Sequence, residues 1–258
     1  MKRAVIWGVL GLTLLFLIGP FFIIIAASLS AGESLAFPPQ GLSLRWVIKV
    51  FEVDSFRESF AVSMFLAVFG TLTALLLGVP ASYALSRYDV PGAETVRTIV
   101  SAPIIVPGII VGLALLRYLV IPTGSSVMLA LFLAHTALVL PYAVRVVSAS
   151  LENLRSDIEE AAVLLGCTRL GAFTRVVLPN IQGGVLAAFI LGFVTSFNQV
   201  PVSLFLSGQG VRTLPIDMIA YMEITYDPSV AALSSLLAFM SIAIVFAAER
   251  FLGFSRYV

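Results

Sequence analysis

Three groups of residues carry what chemistry this sequence offers. Glu160-Ala161-Ala162 is followed at fixed intervals by Gly166, Val176 and Leu178-Pro179. The Glu160 carboxylate suits an arginine or the N-terminus of another protein's helix. The two alanines let a foreign backbone come close. His135, the single histidine, lies in an apolar run. There it either lines a path for solute or hydrogen-bonds between helices. Asn198 and Gln199 stand just before Pro201. They either bond a passing ligand or satisfy carbonyls that the proline leaves free. The one cysteine, Cys167, excludes an internal disulfide and a cysteine metal cluster, so no metal site is expected. No G-x-x-x-x-G-K-[ST] pattern occurs, so ATP and Mg belong to another chain if they are used.

These residues sit in a sequence that water cannot accommodate. The hydrophobic fraction is 60%, the charged fraction 11% and the mean hydropathy +1.07. A soluble domain is about half apolar and about a quarter charged. The net charge of +1 gives no reason to expect nucleic acid as a partner. Apolar runs cover residues 4–27, 60–85, 98–121, 127–149, 183–206 and 230–252. Each reaches the roughly 20 residues that a membrane span requires. The expected fold is therefore all-α and integral to the membrane, with about six transmembrane helices in one domain over residues 1–258. The first run follows Lys2 and Arg3 and exceeds the apolar region of a signal peptide, so it reads as a retained helix. Pro38, Pro39 and Gly41 mark a loop, and Arg45 to Phe51 a short surface helix. In the third run, Pro103, Pro107, Gly108 and Gly112 predict a kinked helix packed inside the protein. Pro141 predicts a bend in the fourth.

Basic residues give the orientation. With the N-terminus inside, one side collects Lys2, Arg3, Arg87, Arg97, Arg145, Arg155, Arg169, Arg175, Arg250 and Arg256. The other collects Arg45, Lys49, Arg57 and Arg212, while Arg117 snorkels from the third span. Both termini are expected in the cytoplasm. The cytoplasmic stretch 150–182 then holds the first group of residues. Leu151, Leu154, Ile158, Ala161, Ala162 and Leu165 recur at helical spacing among charges, which predicts an amphipathic helix. Gly166 breaks it. A second short helix presents Phe173, Val176 and Val177 and ends at Leu178-Pro179. The result is a helix–turn–helix elbow. It either packs only on its own helices or awaits a cover.

The order Glu160-Ala161-Ala162, three residues, Gly166, nine residues, Val176, one residue, Leu178-Pro179 resembles the EAA signature of ABC-importer permeases, with Val176 where isoleucine is usual. LAHTALVLPYAVRVV (133–147) and SLFLSGQGVRTLPIDMIAYM (203–222) extend the likeness. They are most similar to the second permease of polyamine-type importers, a group that includes opine and aminophosphonate systems. The resemblance implies the type I importer permease fold in a bacterial inner membrane. It implies a coupling elbow formed by Glu160, Ala161, Ala162, Gly166, Val176, Leu178 and Pro179, seated on a cytoplasmic ATP-binding subunit. Two such subunits would hold ATP and Mg. A related permease would complete the pore as a heterodimer, and a solute-binding protein would deliver a polyamine, opine, amino acid derivative or aminophosphonate. Polyamine permeases tend to carry acids where Asn198 and Gln199 stand, which tells against a polycation here. Arg212, Asp217, Glu223 and Asp227, after the fifth span, read either as a docking face for the binding protein or as a solvated surface. A secondary transporter would need Asp or Glu within its spans, and these spans carry almost none. A bare membrane scaffold leaves the elbow unexplained.

Overall fold

The computed structural model describes residues 2–35, 37–208 and 210–252. The side chains of Lys2, Ala4, Ala248, Glu249, Phe251 and Leu252 are not among them. Arg256, counted above on the cytoplasmic side, lies outside the described residues.

Eleven helices are described: α1 Lys2–Ser28, α2 Arg45–Glu52, α3 Asp54–Arg87, α4 Ala93–Ile105, α5 Gly108–Thr123, α6 Val127–Glu152, α7 Ser156–Leu164, α8 Arg169–Asn180, α9 Gln182–Phe197, α10 Leu214–Ile224 and α11 Ser229–Leu252. Among the described residues four helices can cross a membrane by length and composition: α1, α3, α6 and α11. The pairs α4–α5 and α8–α9, bent by 93° and 69°, raise the number to six if each pair is one span.

The chain divides into two compact units. The first comprises Met1–Glu58 and Asp217–Ala247, the second Ser59–Ile216 and Ala248–Val258. In the first unit, α1 exposes its apolar side chains, Trp7 to 68% and Phe16 to 79%. Lipid tails are as apolar as these side chains, so such exposure costs nothing in a bilayer. The short helix expected near Arg45–Phe51 is α2. It buries Trp46 and Val50. One charge expected on an outer surface turns inward here: Asp227 is buried and bonded to Nζ of the half-exposed Lys49 at 2.7 Å. Tyr221 donates to the same carboxylate at 3.2 Å and the Ser229 N–H at 2.9 Å. The Asp227 hydrogen bond raises Lys49 above its ordinary range. Burial pushes Asp227 up, but the hydrogen bonds from Lys49 and Ser229 outweigh it and hold the carboxyl below the usual range.

In the second unit α3, α6 and α9 share the core. Leu75, Val79, Ala143, Val147, Leu151 and Ala188 are buried together with Val177 and Ile181. Ser82, buried on α3, donates to Gly78 O and to Val144 O of α6. A second cluster joins Leu66, Ala130, Leu131 and Ala134 to Val202 and Leu206.

Proline shapes the spans differently from the sequence expectation. Val106 is extended, as a residue before proline prefers, and the helix breaks completely at Pro107. The third span is packed inside only in part: α4 has no buried residue, while α5 buries Gly112 and sets Val111, Leu115 and Leu119 against the second cluster. Pro141, by contrast, is buried within the uninterrupted α6. The fifth span is shorter than its apolar run. α9 ends at Phe197, where Asn198 Nδ2 donates back to Val194 O at 3.0 Å. Residues 198–207 form turns that bury Val202 and Leu206.

Candidate functional site

The elbow begins later than the leucine spacing suggests. Leu151 is in the last turn of α6, fully buried, and Leu154 is in the following turn. The helix bearing Glu160 starts at Ser156. Its end is closed by two reciprocal bonds, Cys167 N–H to Ala162 O (3.0 Å) and Gly166 N–H to Val163 O (2.9 Å). This closure needs a left-handed residue at the turn, and Gly166 has φ +97°. Thr168 then caps α8, its hydroxyl accepting from Gly171 N–H at 3.0 Å. α8 passes through a π-helical turn, Phe173–Val177, before Pro179.

The two arms of the elbow have opposite surroundings. The second is embedded: Val177 and Ile181 lie in the core of α3, α6 and α9, with Phe173 and Leu178 packed beside them. Val176 is half-buried. The first arm is open. Glu160 and Ala161 are exposed and Ala162 half-buried. Leu164 and Leu165 are exposed to 88% and 89%, and Leu170, at the start of the second arm, to 72%. Leu164 and Leu165 lie between spans, where lipid tails do not explain their exposure. Burying each fully contributes about 2 kcal/mol, so the trio offers a partner several. Beside them is a cleft of about 290 Å³ bordered by Arg87, Tyr88, Glu159, Glu160, Leu164 and Arg169.

Glu159, the neighbour of the motif glutamate, points the other way. It is buried, accepts from the Tyr83 hydroxyl and stands 3.5 Å from the Arg87 guanidinium. Arg87 also donates to Leu151 O at 3.2 Å and Leu154 O at 2.7 Å, carbonyls at the end of α6. The Tyr83 ring meets Phe173 of α8 at 4.6 Å. One turn of α3, Tyr83 to Arg87, thus grips the end of α6 and both arms of the elbow. Sequence reasoning read Arg87 only as a charge closing the second span and Glu159 only as one of the charges on the amphipathic helix, and it passed over Tyr83. The available signal was the i,i+4 placement of Tyr83 and Arg87 on an apolar helix end.

The three pathway candidates have different surroundings. His135 is 1% exposed. Its Nδ1 lies 2.7 Å from Ser196 Oγ of α9 and its Nε2 3.2 Å from Ser203 Oγ in the turn after α9. Both ring nitrogens are engaged, so His135 ties α6 to the end of α9. Asn198 is exposed and Gln199 half-buried. His135→Ala is expected to lower stability by about 1 kcal/mol, a usual value for a hydrogen bond between membrane helices. Thermal unfolding of the purified chain measures it. A change in solute preference without loss of stability would instead make His135 a ligand contact.

The comparisons agree with this architecture. Residues 70–255 match the family described as binding-protein-dependent transport system inner membrane component. The chain is 29% identical over 230 residues to the putrescine transport system permease protein PotI of Escherichia coli K12, covering 86% of this chain and 81% of that protein. It is 27% identical over 206 residues to the spermidine/putrescine transport system permease protein PotC of Haemophilus influenzae, covering 80% of each. In fold it is similar to a chain of the bacterial alginate ABC transporter in complex with a pentasaccharide-bound periplasmic protein, with a TM-score of 0.74 at 16% identity over 96% of this chain and 92% of that one. A chain of the MetNI methionine ABC transporter gives 0.62 at 23% identity, covering 80% and 96%. With the motif, the spans and the elbow in place, the chain belongs to the binding-protein-dependent transport system inner membrane components, as the transmembrane permease subunit of an ATP-driven importer.

Proposed function

We propose that α7 and the start of α8 form the contact with a cytoplasmic ATP-binding subunit, and that Glu160, Ala161, Ala162, Gly166, Val176, Leu178 and Pro179 are its working residues. The observation that carries this is the open surface of the elbow: Glu160 and Leu164 on α7, Leu165 at its end and Leu170 at the start of α8 are exposed, while the rest of the second arm is locked into the core. Glu160 offers its charge to a basic group of the ATPase, and the leucines fill an apolar groove. Two ATPase copies hold ATP and Mg. Their closure drives the elbow of this chain and that of a related second permease together, and the attached helices change the side to which the pathway opens. Nucleotide drives such a change by binding one state better than the other. The elbow and both termini are on the cytoplasmic side, and a solute-binding protein delivers the cargo on the other.

The cargo is a small organic solute. Two relatives named above are polyamine permeases, which supports a nitrogenous compound. The neutral amides of Asn198 and Gln199 favour a zwitterionic or anionic member of that range, such as an amino acid derivative, opine or aminophosphonate, over a polycation. The test is ATP hydrolysis by the reconstituted transporter with wild-type chain and with Glu160→Arg. Charge reversal at the contact is expected to cut stimulation by solute-loaded binding protein tenfold or more, as loss of about 1.4 kcal/mol or more at an interface does. Undiminished stimulation rejects the assignment. The same assay ranks the solutes.

A further inference from the structure

Between the first two spans, α2 has an apolar face that nothing in its own unit covers. Trp46 and Val50 point inward. On the other side Leu44, Ile48 and Phe51, at i, i+4 and i+7, are exposed to 61%, 57% and 74%, and Leu42 beside them to 81%. These uncharged residues run from the segment before α2 onto one face of a helix of only eight residues.

Hydrogen bonds fix the level at which α2 sits. Trp46 Nε1 donates to Gly32 O at 3.0 Å, and Ser43 N–H to Leu29 O at 2.8 Å, so α2 is tied to the end of α1. Lys49 binds Asp227, whose carboxylate also holds the Ser229 N–H at the start of α11. The helix is thus pinned where two apolar spans end together. α3 starts two residues after it, and its first turns carry exposed Asp54, Arg57 and Glu58. α1 itself exposes Phe21, Phe22 and Ile23 shortly before its end. Flanking it, the Arg45 guanidinium lies 4.3 Å and the Lys49 ammonium 5.1 Å from the Trp46 ring. Basic side chains beside an apolar helix face are the composition of a helix lying at the membrane surface.

We infer that α2 is an in-plane membrane-surface helix: Leu42, Leu44, Ile48 and Phe51 enter the boundary between headgroups and acyl chains, and Arg45 stands at the level of the phosphates. The occupant of the stripe is the lipid leaflet, neither the second permease nor the binding protein. A surface met only transiently by a soluble partner would leave four large apolar side chains in water between encounters. A leaflet covers them at all times. The helix then acts as a float that sets the depth of the two span ends to which it is bonded.

The test places a bimane fluorophore at Phe51→Cys in a Cys167→Ser background, in the transporter assembled in nanodiscs. Lipids brominated near the glycerol end are expected to lower emission severalfold, while aqueous iodide has little effect. The reverse pattern should hold at Glu33→Cys, whose side chain is 89% exposed beside the end of α1. Quenching at position 51 by iodide means the stripe faces water, and quenching by neither means protein covers it; both overturn the inference. Ile48→Cys serves if the Phe51 variant fails to assemble. Neither overturning result touches the ATPase reading of the elbow.

Discussion

Arg87→Leu is expected to destabilise the elbow by about 3–5 kcal/mol, the usual cost of removing one member of a buried ion pair. The substitution leaves the Glu159 carboxylate buried without its cation and releases the carbonyls of Leu151 and Leu154. Leucine roughly matches the apolar stem of arginine but supplies none of its donors. Arg87→Lys keeps the charge and loses the forked geometry, so an intermediate loss is expected. Limited proteolysis in the turn 153–155 and thermal unfolding read the effect. Cleavage should quicken there, and binding-protein stimulation of ATP hydrolysis should fall with it, because the proposed ATPase contact loses its tie to α3. Melting and cleavage unchanged from wild type would mean that the elbow is held by its apolar arm alone.

Gly112→Leu carries the second large effect. A Cβ at this position meets the carbonyl oxygen of Val202 at 2.3 Å, and a carbonyl is backbone that no rotamer change removes. Even alanine forces the turn after α9 away from α5. Leucine is expected to displace it and expose Val202 and Leu206, both fully buried in wild type. The expected loss is about 3 kcal/mol or more, overpacking combined with lost burial. At Gly8, in the first span, a Cβ would meet nothing within 4 Å, so Gly8→Leu is the matched control and should melt like wild type. Equal behaviour of the two variants in thermal unfolding would contradict the close approach at Gly112.

The spans were legible because their signal is additive: apolar runs of sufficient length need no partner to be recognised. The elbow was legible in its motif and its Gly166 turn, since a left-handed closure asks for glycine at that point. Its first boundary was misplaced because Leu151 and Leu154 continue the helical spacing across a break that the turn at Asn153 and Leu154 creates. Periodicity registers faces, and it passes through a short non-helical step unaltered. The end of α9 was overestimated for a related reason. Residues 200–206 are as apolar as a span, yet they fold as turns that bury Val202 and Leu206 against α5 and α6. Glu159 and Arg87 were hidden by distance, 72 positions apart in the chain. Charge at a helix end reads equally well as a loop residue facing water or as a grip on another helix. The four charges after the fifth span show the same limit. Asp227 turned out to be an internal partner of Lys49, and no composition rule distinguishes that from a docking face.

The central claim is that the open arm of the elbow touches an ATP-binding subunit. A photoreactive phenylalanine analogue in place of Leu164, in the assembled transporter, tests it without relying on turnover. The account predicts a covalent adduct with the ATP-binding subunit, its yield changing when ATP is added, and none from the same group at Trp7, which faces outward from α1. An adduct confined to this chain or to lipid, in a transporter whose subunits remain associated, would contradict it.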